Sequence, residues 1–340
     1  MRRQEKILFS KHYGIKEDPK TFEFLDVYLN ADSLFFVDAA KIKYEATRES
    51  RYQYLFVRMQ RTIDNFFESV LSLYESLDED GDLDLEANME SFERILGKSG
   101  ETQSTHLGFG KIGSPGKGSS FEILKDAFDY VYVERLYELG VIQNPEELTL
   151  FTENFAYDRM SDFIISLIIP ELAEFTLLQV EKHKINEVHL SNKPVRLGYV
   201  WNVESKEWGI FRERTLFDHS GRPVLLIPVR IISRTFLYDP KKYLSHSLYR
   251  RQDEYRNMES EFNVVTEDGV KPPTHKVIKE IEIQEPGLST KRYLIDRTLV
   301  DSGLKDSFRT KIGHLVANGS AVLTAEEIAA YREKDSLKNE

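Results

Sequence analysis

The sequence predicts a mainly helical α+β protein with a small β-hairpin or sheet element near residues 195–232. Two observations carry this. Before residue 190, apolar residues recur at spacings of three and four, the period of a helix with one buried face. From Val195 the texture changes to "VRLGYVWNV" and "WGIFRERTLF", alternating runs rich in Val, Tyr, Trp and Phe on either side of the polar link "ESKE", as a hairpin requires.

The elements follow in order. Leu55, Met59, Ile63, Phe66, Val70, Leu73 and Leu77 form one stripe, so residues 48–77 are expected to be a long helix. It runs into "ESLDEDGDLDLE", which holds seven acids and no base. Ser119 and Glu122 match the S-x-x-E capping box, and Leu124, Phe128, Val131, Leu136 and Leu139 would be the buried side of the helix it starts. "NPEE" at 144–147 starts another helix, with Asn144 as cap and Pro145 at the first position. From Asp158 to Lys184 the pattern is helical again, with a kink or break at Pro170. After the hairpin, "DHSGR" reads as a turn and "PVLLIPVRII" as a buried strand. "TEDGVKPPTHK" (266–276) is the best linker candidate, and Thr324 with Glu327 caps a last helix.

This gives a helical region over 1–190, a β element with a basic stretch over 191–265, and a helical C-terminal region over 275–340. "FIISLIIPEL" and "PVLLIPVRII" are each too apolar to stay exposed, so the helical half and the β element are expected to form one compact unit, with 275–340 either part of it or separate.

Composition bounds the function. Of 340 residues, 41% are apolar and 30% charged, a globular balance with enough chain for a sizeable core. There is no cysteine, which excludes disulfides, cysteine nucleophiles and thiolate metal sites. The N-terminus has no apolar run of secretory length, and "FIISLIIPELAEF" is too short and too charged to span a bilayer, so no membrane is expected and the cytoplasm is the expected location. A net charge of −11 excludes nucleic-acid binding through bulk charge and leaves only a local basic patch.

The stretch "HLGFGKIGSPGKGSS" (106–120) invites comparison with a phosphate cradle. A P-loop needs Ser or Thr after the Gly-Lys pair, but Gly118 follows Gly116-Lys117, and Lys111 stands where the first glycine belongs. What survives is a choice between a structural turn and an anion loop at a helix start. The acidic run is no calcium loop, since ligand position twelve falls on Ala87.

Asp158 and Asp162, four apart, place two carboxylates on one helix face, a pair suited to a divalent metal such as Mg or Mn, or equally to a helix start. Glu101 and His106 would complete a metal or general-base site if the fold brought them close, with Lys117 or Arg230 stabilising phosphate charge. The Glu204-Ser205-Lys206 triplet sits in a hairpin link instead of a strand, which weakens the nuclease pattern. From Arg230 to Arg256, seven basic residues stand against three acids with tyrosines interleaved. Lys241, Lys242, Arg250 and Arg251 are therefore the candidate nucleic-acid contacts.

Three segments, "SGETQSTHLGFG…GKGSS", "ENFAYDRMSDFIISLI" and "RPVLLIPVRII", together resemble uncharacterised bacterial proteins encoded among anti-phage defence genes, over the middle third of the chain. In that family the strand matching "LLIPVRI" often carries a lysine where this chain has Arg230. The resemblance implies a bacterial setting and a defence role, and supplies no reaction. Two functions are expected from these readings: a metal-dependent nucleic-acid phosphodiester hydrolase, or a non-catalytic subunit. The second would bind a defence-operon partner, nucleic acid or further copies of itself, since acidic 75–86 and basic 230–256 are oppositely charged.

Overall fold

The computed structural model describes residues 6–77, 84–99, 103–108, 121–153 and 155–338. The expected division into helices and a small amount of sheet holds. A short turn α1 (Phe9–His12) precedes strand β1 (Phe36–Val37) and helix α2 (Ala39–Thr47), whose N-cap Asp38 accepts from the Ala40 N–H. The long helix α3 (Gln53–Leu77) starts later than the expected residue 48, because residues 48–52 form bends and a turn. Its stripe behaves as expected. Leu55, Met59, Ile63, Phe66 and Val70 are fully buried.

Helix α4 (Met89–Leu96) follows, then α5 (Phe121–Val133). Ser119, the expected cap of α5, lies outside the described residues. The helix also ends sooner than expected, at a turn where Arg135 has φ of 54°. Leu136 still reaches the core through that turn, whereas Leu139 is exposed. Asn144 and Glu147 form a reciprocal capping box on a 3-10 turn that leads into α6 (Leu148–Phe151).

Pro170 splits the next apolar run as expected. Helices α7 (Tyr157–Leu167) and α8 (Ile169–Lys182) meet at 77°, with Pro170 in the first turn of α8 where its missing N–H costs nothing. Among the described residues no single helix is long and apolar enough to cross a membrane.

Strands β2 (Val195–Asn202) and β3 (Glu207–Glu213) make the expected antiparallel hairpin, with a bulge between Arg196 and Gly198. Asn202 Oδ1 accepts from the Glu204 and Ser205 N–H groups, so Glu204-Ser205-Lys206 is the turn itself. The bulge admits α8: a Cβ on Gly198, whose φ is 156°, would lie 2.6 Å from Ile169 Cδ1.

"PVLLIPVRII" departs from expectation. Only β5 (Pro223–Val224), paired with β4 (Leu216–Phe217), and β6 (Ile232–Ser233), paired with β1, are strand. Between them Leu225, Leu226 and Ile227 are buried, and their backbone groups go to three other segments. Leu225 N–H donates to Ser104 O, Leu226 N–H to Thr176 Oγ1, and Ile227 O accepts from Leu25 N–H. The run is threaded through the core instead of laid in a sheet, and Pro223 and Pro228 remove the donors a longer ladder would need.

Helix α9 (Pro240–Arg256) carries the basic stretch, and Asp239 caps it. The first part of the expected linker, through Lys271, belongs to a small antiparallel hairpin of β7 (Val264–Thr266) and β8 (Gly269–Lys271). Helices α10 (His275–Lys279), α11 (Thr290–Val300), α12 (Leu304–Ala317) and α13 (Ala325–Lys338) complete the chain, and the Thr324–Glu327 capping box forms as expected. Residues from Phe9 to Ile328 share one buried apolar cluster. Fully buried Glu147 fastens the C-terminal helices to it: its Oε1 accepts from Arg309 at 2.6 Å, and its Oε2 from the Gln143 N–H at 2.7 Å.

Candidate functional site

His106 opens the glycine-rich run, and the fold holds it tightly. Ser33 N–H donates to its carbonyl at 2.9 Å, Gly108 N–H donates to Ser33 O, and Leu107 forms a parallel bridge with Ser33. These bonds fix His106 at φ of 54°, a left-handed conformation that a non-glycine residue adopts only under constraint. Its buried imidazole places Nε2 3.8 Å from Asp218 Oδ2, and neither ring nitrogen has a hydrogen-bond partner among the described residues.

Asp218 sits at the centre of this region, in the segment that reads from sequence as a plain turn. Burial pushes its carboxyl up, but bonds from Ser220 and Arg222 outweigh that and hold it below the usual range. Burial pushes the His106 imidazole down to about 4, Arg222 adds to this, and Asp218 opposes it, so the ring is neutral near pH 7. Burial lowers His12 as well, helped by His189 and His219 and opposed by Asp218. Tyr13 stacks edge-on against His189 and donates to Phe217 O at 2.6 Å. No sequence pattern joins these residues, since they come from four separate segments.

A neutral imidazole beside a carboxylate has the parts of an oriented general base. Their 3.8 Å separation exceeds hydrogen-bond reach, and both side chains are fully buried. The pair is an internal polar joint between Ser33, the start of the glycine-rich run and the β4–β5 turn.

Asp158 and Asp162 lie one turn apart on α7 and are both half-buried. Ala156 is the N-cap, so Asp158 is a first-turn acid and Asp162 belongs to the next turn. Ser161, between them, accepts from Val37 N–H at 2.9 Å and fastens α7 to β1. Glu101 and Lys117 lie outside the described residues. Among the described residues, no three His, Asp or Glu side chains are disposed to hold a metal ion.

The basic stretch is largely committed to carboxylates of its own chain. Arg230 Nε meets Glu45 Oε2 at 2.7 Å. Arg250 grips Asp301 with two bonds of 2.6 Å, and Arg251 is shared between Glu282 and Glu254. Lys242 Nζ donates to Phe236 O at 2.7 Å, while Lys241 is exposed. Three of the acids that take these arginines, Glu45, Glu282 and Asp301, lie outside 230–256, where the local charge count does not look. A cleft of about 450 Å³ between α13 and Phe22, Phe24 and Val229 contains Asp26 and Arg332, and the Arg332 guanidinium donates to Asp26 O.

These features define a mainly helical α+β protein on a single apolar core, with a buried His–Asp joint and a C-terminal helical region clamped to it by ion pairs. A family model described as Domain of unknown function (DUF8370) matches residues 14–239, more than half of the chain, and the chain belongs to that family. The match ends at Asp239, the cap of α9, so α9 to α13 lie beyond it. No curated protein and no solved structure matches the chain.

Proposed function

We propose that this protein is a non-catalytic interaction subunit of a bacterial defence assembly, and that a partner protein docks on the β7–β8 hairpin. The observation that carries this is the exposure of that hairpin. Val264 is 60% exposed, Val265 81% and Val270 40%, on a two-stranded ribbon with no third strand among the described residues. Successive residues of a strand face opposite ways, so exposure of both Val264 and Val265 means that neither face of β7 is covered. An isolated two-stranded ribbon is marginal in water, and β-branched residues on it gain from an added strand. The defence setting rests on the resemblance of the middle third of the chain.

A second reading, the metal-dependent phosphodiester hydrolase, is favoured by one observation: Asp158 and Asp162 stand one turn apart on α7, fastened beside β1. One experiment separates the two. Cells carrying this gene with its neighbours are challenged with phage, comparing Val265→Lys with the Asp158→Ala/Asp162→Ala double variant. The interaction subunit requires loss of protection by the first and retention by the second. The reverse pattern, with both variants folded by circular dichroism, would replace it with the hydrolase and call for labelled DNA and RNA with Mg or Mn.

A further inference from the structure

We propose that the cleft between α3, the start of α8 and the β2–β3 hairpin binds a small organic ammonium ion, with Glu171 as its anionic partner. The cleft holds about 430 Å³, a size suited to a small molecule, and Leu167 and Pro170 line it where α7 and α8 meet at 77°. Val200 and Val203 of the hairpin add to its apolar walls. Those walls are fixed in place. Trp201 Nε1 donates to Asn65 Oδ1 at 2.9 Å, and its ring packs edge-on against Phe66, so β2 is held to α3.

Glu171, in the first turn of α8, lines the cleft and is only 7% exposed. Its Oε1 accepts from Arg58 Nε at 3.3 Å, but its buried Oε2 has no hydrogen-bond partner among the described residues. Arg58 gives its shorter bond, from Nη2 at 2.6 Å, to Glu174 Oε2, so one cation serves two carboxylates. A buried acceptor without a donor is costly, and more so when it is charged. Burial pushes the Glu171 carboxyl up, opposed by its own backbone N–H and by Arg58. Arg61 and Glu204, both exposed and both lining the cleft, carry one charge of each sign, so the unmatched charge is the buried one. An ammonium group supplies a positive charge and N–H donors together, and the apolar walls favour one that carries a short hydrocarbon chain.

Isothermal titration of the full chain with butylammonium, at about pH 8 where both partners are charged, should show one saturable site. A dissociation constant on the order of 1 mM is within the ceiling for so small a ligand. 1-Butanol, with the same chain and no charge, should bind at least about tenfold more weakly, and Glu171→Gln should weaken butylammonium by a similar factor. Two variants test the sharing of Arg58. Glu174→Gln, one turn further along α8, leaves Arg58 wholly to Glu171 and should weaken binding. Arg58→Met removes the ligand's competitor for the carboxylate and should tighten it, the opposite of what loss of structure would do. No saturable binding, butanol bound as well as butylammonium, or an affinity unchanged in Glu171→Gln would each overturn the proposal. So would weaker binding by an Arg58→Met variant that is folded by circular dichroism.

Discussion

Replacing Arg309 with alanine should loosen the joint between α12 and the Asn144–Glu147 turn. Glu147 is fully buried and takes four donors. Arg309 reaches Oε1 through Nη2 at 2.6 Å and Nε at 3.2 Å, and the Gln143 and Asn144 N–H groups reach Oε2 at 2.7 and 3.2 Å. Stripping a buried carboxylate of its only cation costs about 3–5 kcal/mol. Here the two amides remain, Lys305 Nζ stays 3.7 Å away, and the Arg309 side chain is 28% exposed, so screening reduces its part. Two charge-assisted bonds at such a site leave an expected loss of about 2–3 kcal/mol. With an unfolding entropy of about 2.1 cal/mol/K per residue, the 340-residue chain should melt about 3–4 °C lower. Urea unfolding of Arg309→Ala, Glu147→Gln and the double variant should show coupling of more than about 1 kcal/mol. A loss below about 0.5 kcal/mol, the range of ordinary surface substitutions, would refute the view that this ion pair clamps the C-terminal helices.

Two further outcomes follow from the structure. His106 has a folded-state value lowered to about 4 against 6.5 unfolded, so the unfolded chain binds the extra proton between these values. Its contribution to stability is therefore complete above pH 6.5 and falls by about 3 kcal/mol as pH drops toward 4. Wild type minus His106→Asn in urea titrations should show that slope, and a flat difference would contradict the burial argument. Gly198→Ala should cost about 1–3 kcal/mol, because the added Cβ meets Ile169 Cδ1 at 2.6 Å. Adding Ile169→Val, which removes that methyl, should return part of the loss; equal melting of the glycine and alanine forms would mean that β2 and α8 do not meet as described.

Much of the architecture was legible in the residues themselves because it rests on local physics. The stripe from Leu55 to Val70 repeats with the helical period, Pro170 cannot continue a helix from within, and Asn144-Pro145 and Thr324 with Glu327 carry their own capping chemistry. The alternation from Val195 onward gave the hairpin for the same reason: neighbours along the chain suffice to decide it.

What depended on distant partners was not legible. "PVLLIPVRII" has the composition of a strand, but whether a ladder or three unrelated segments take its backbone bonds is decided only when Ser104, Thr176 and Leu25 arrive beside it. Thr266 to Lys271 read as the start of a linker because Gly269, Pro272 and Pro273 dominate a local reading, whereas their pairing with Val264 and Val265 is a cross-strand property. The basic stretch looked free because three of its acids, Glu45, Glu282 and Asp301, lie outside the counted window. Asp218 stayed hidden in a turn because its importance comes from His106, 112 positions earlier in the chain. The sequence by itself determined which segments are helical, which are apolar and where they stop; the tertiary structure alone decided which charges meet, since a Coulomb partner is selected by distance in space and not by separation along the chain.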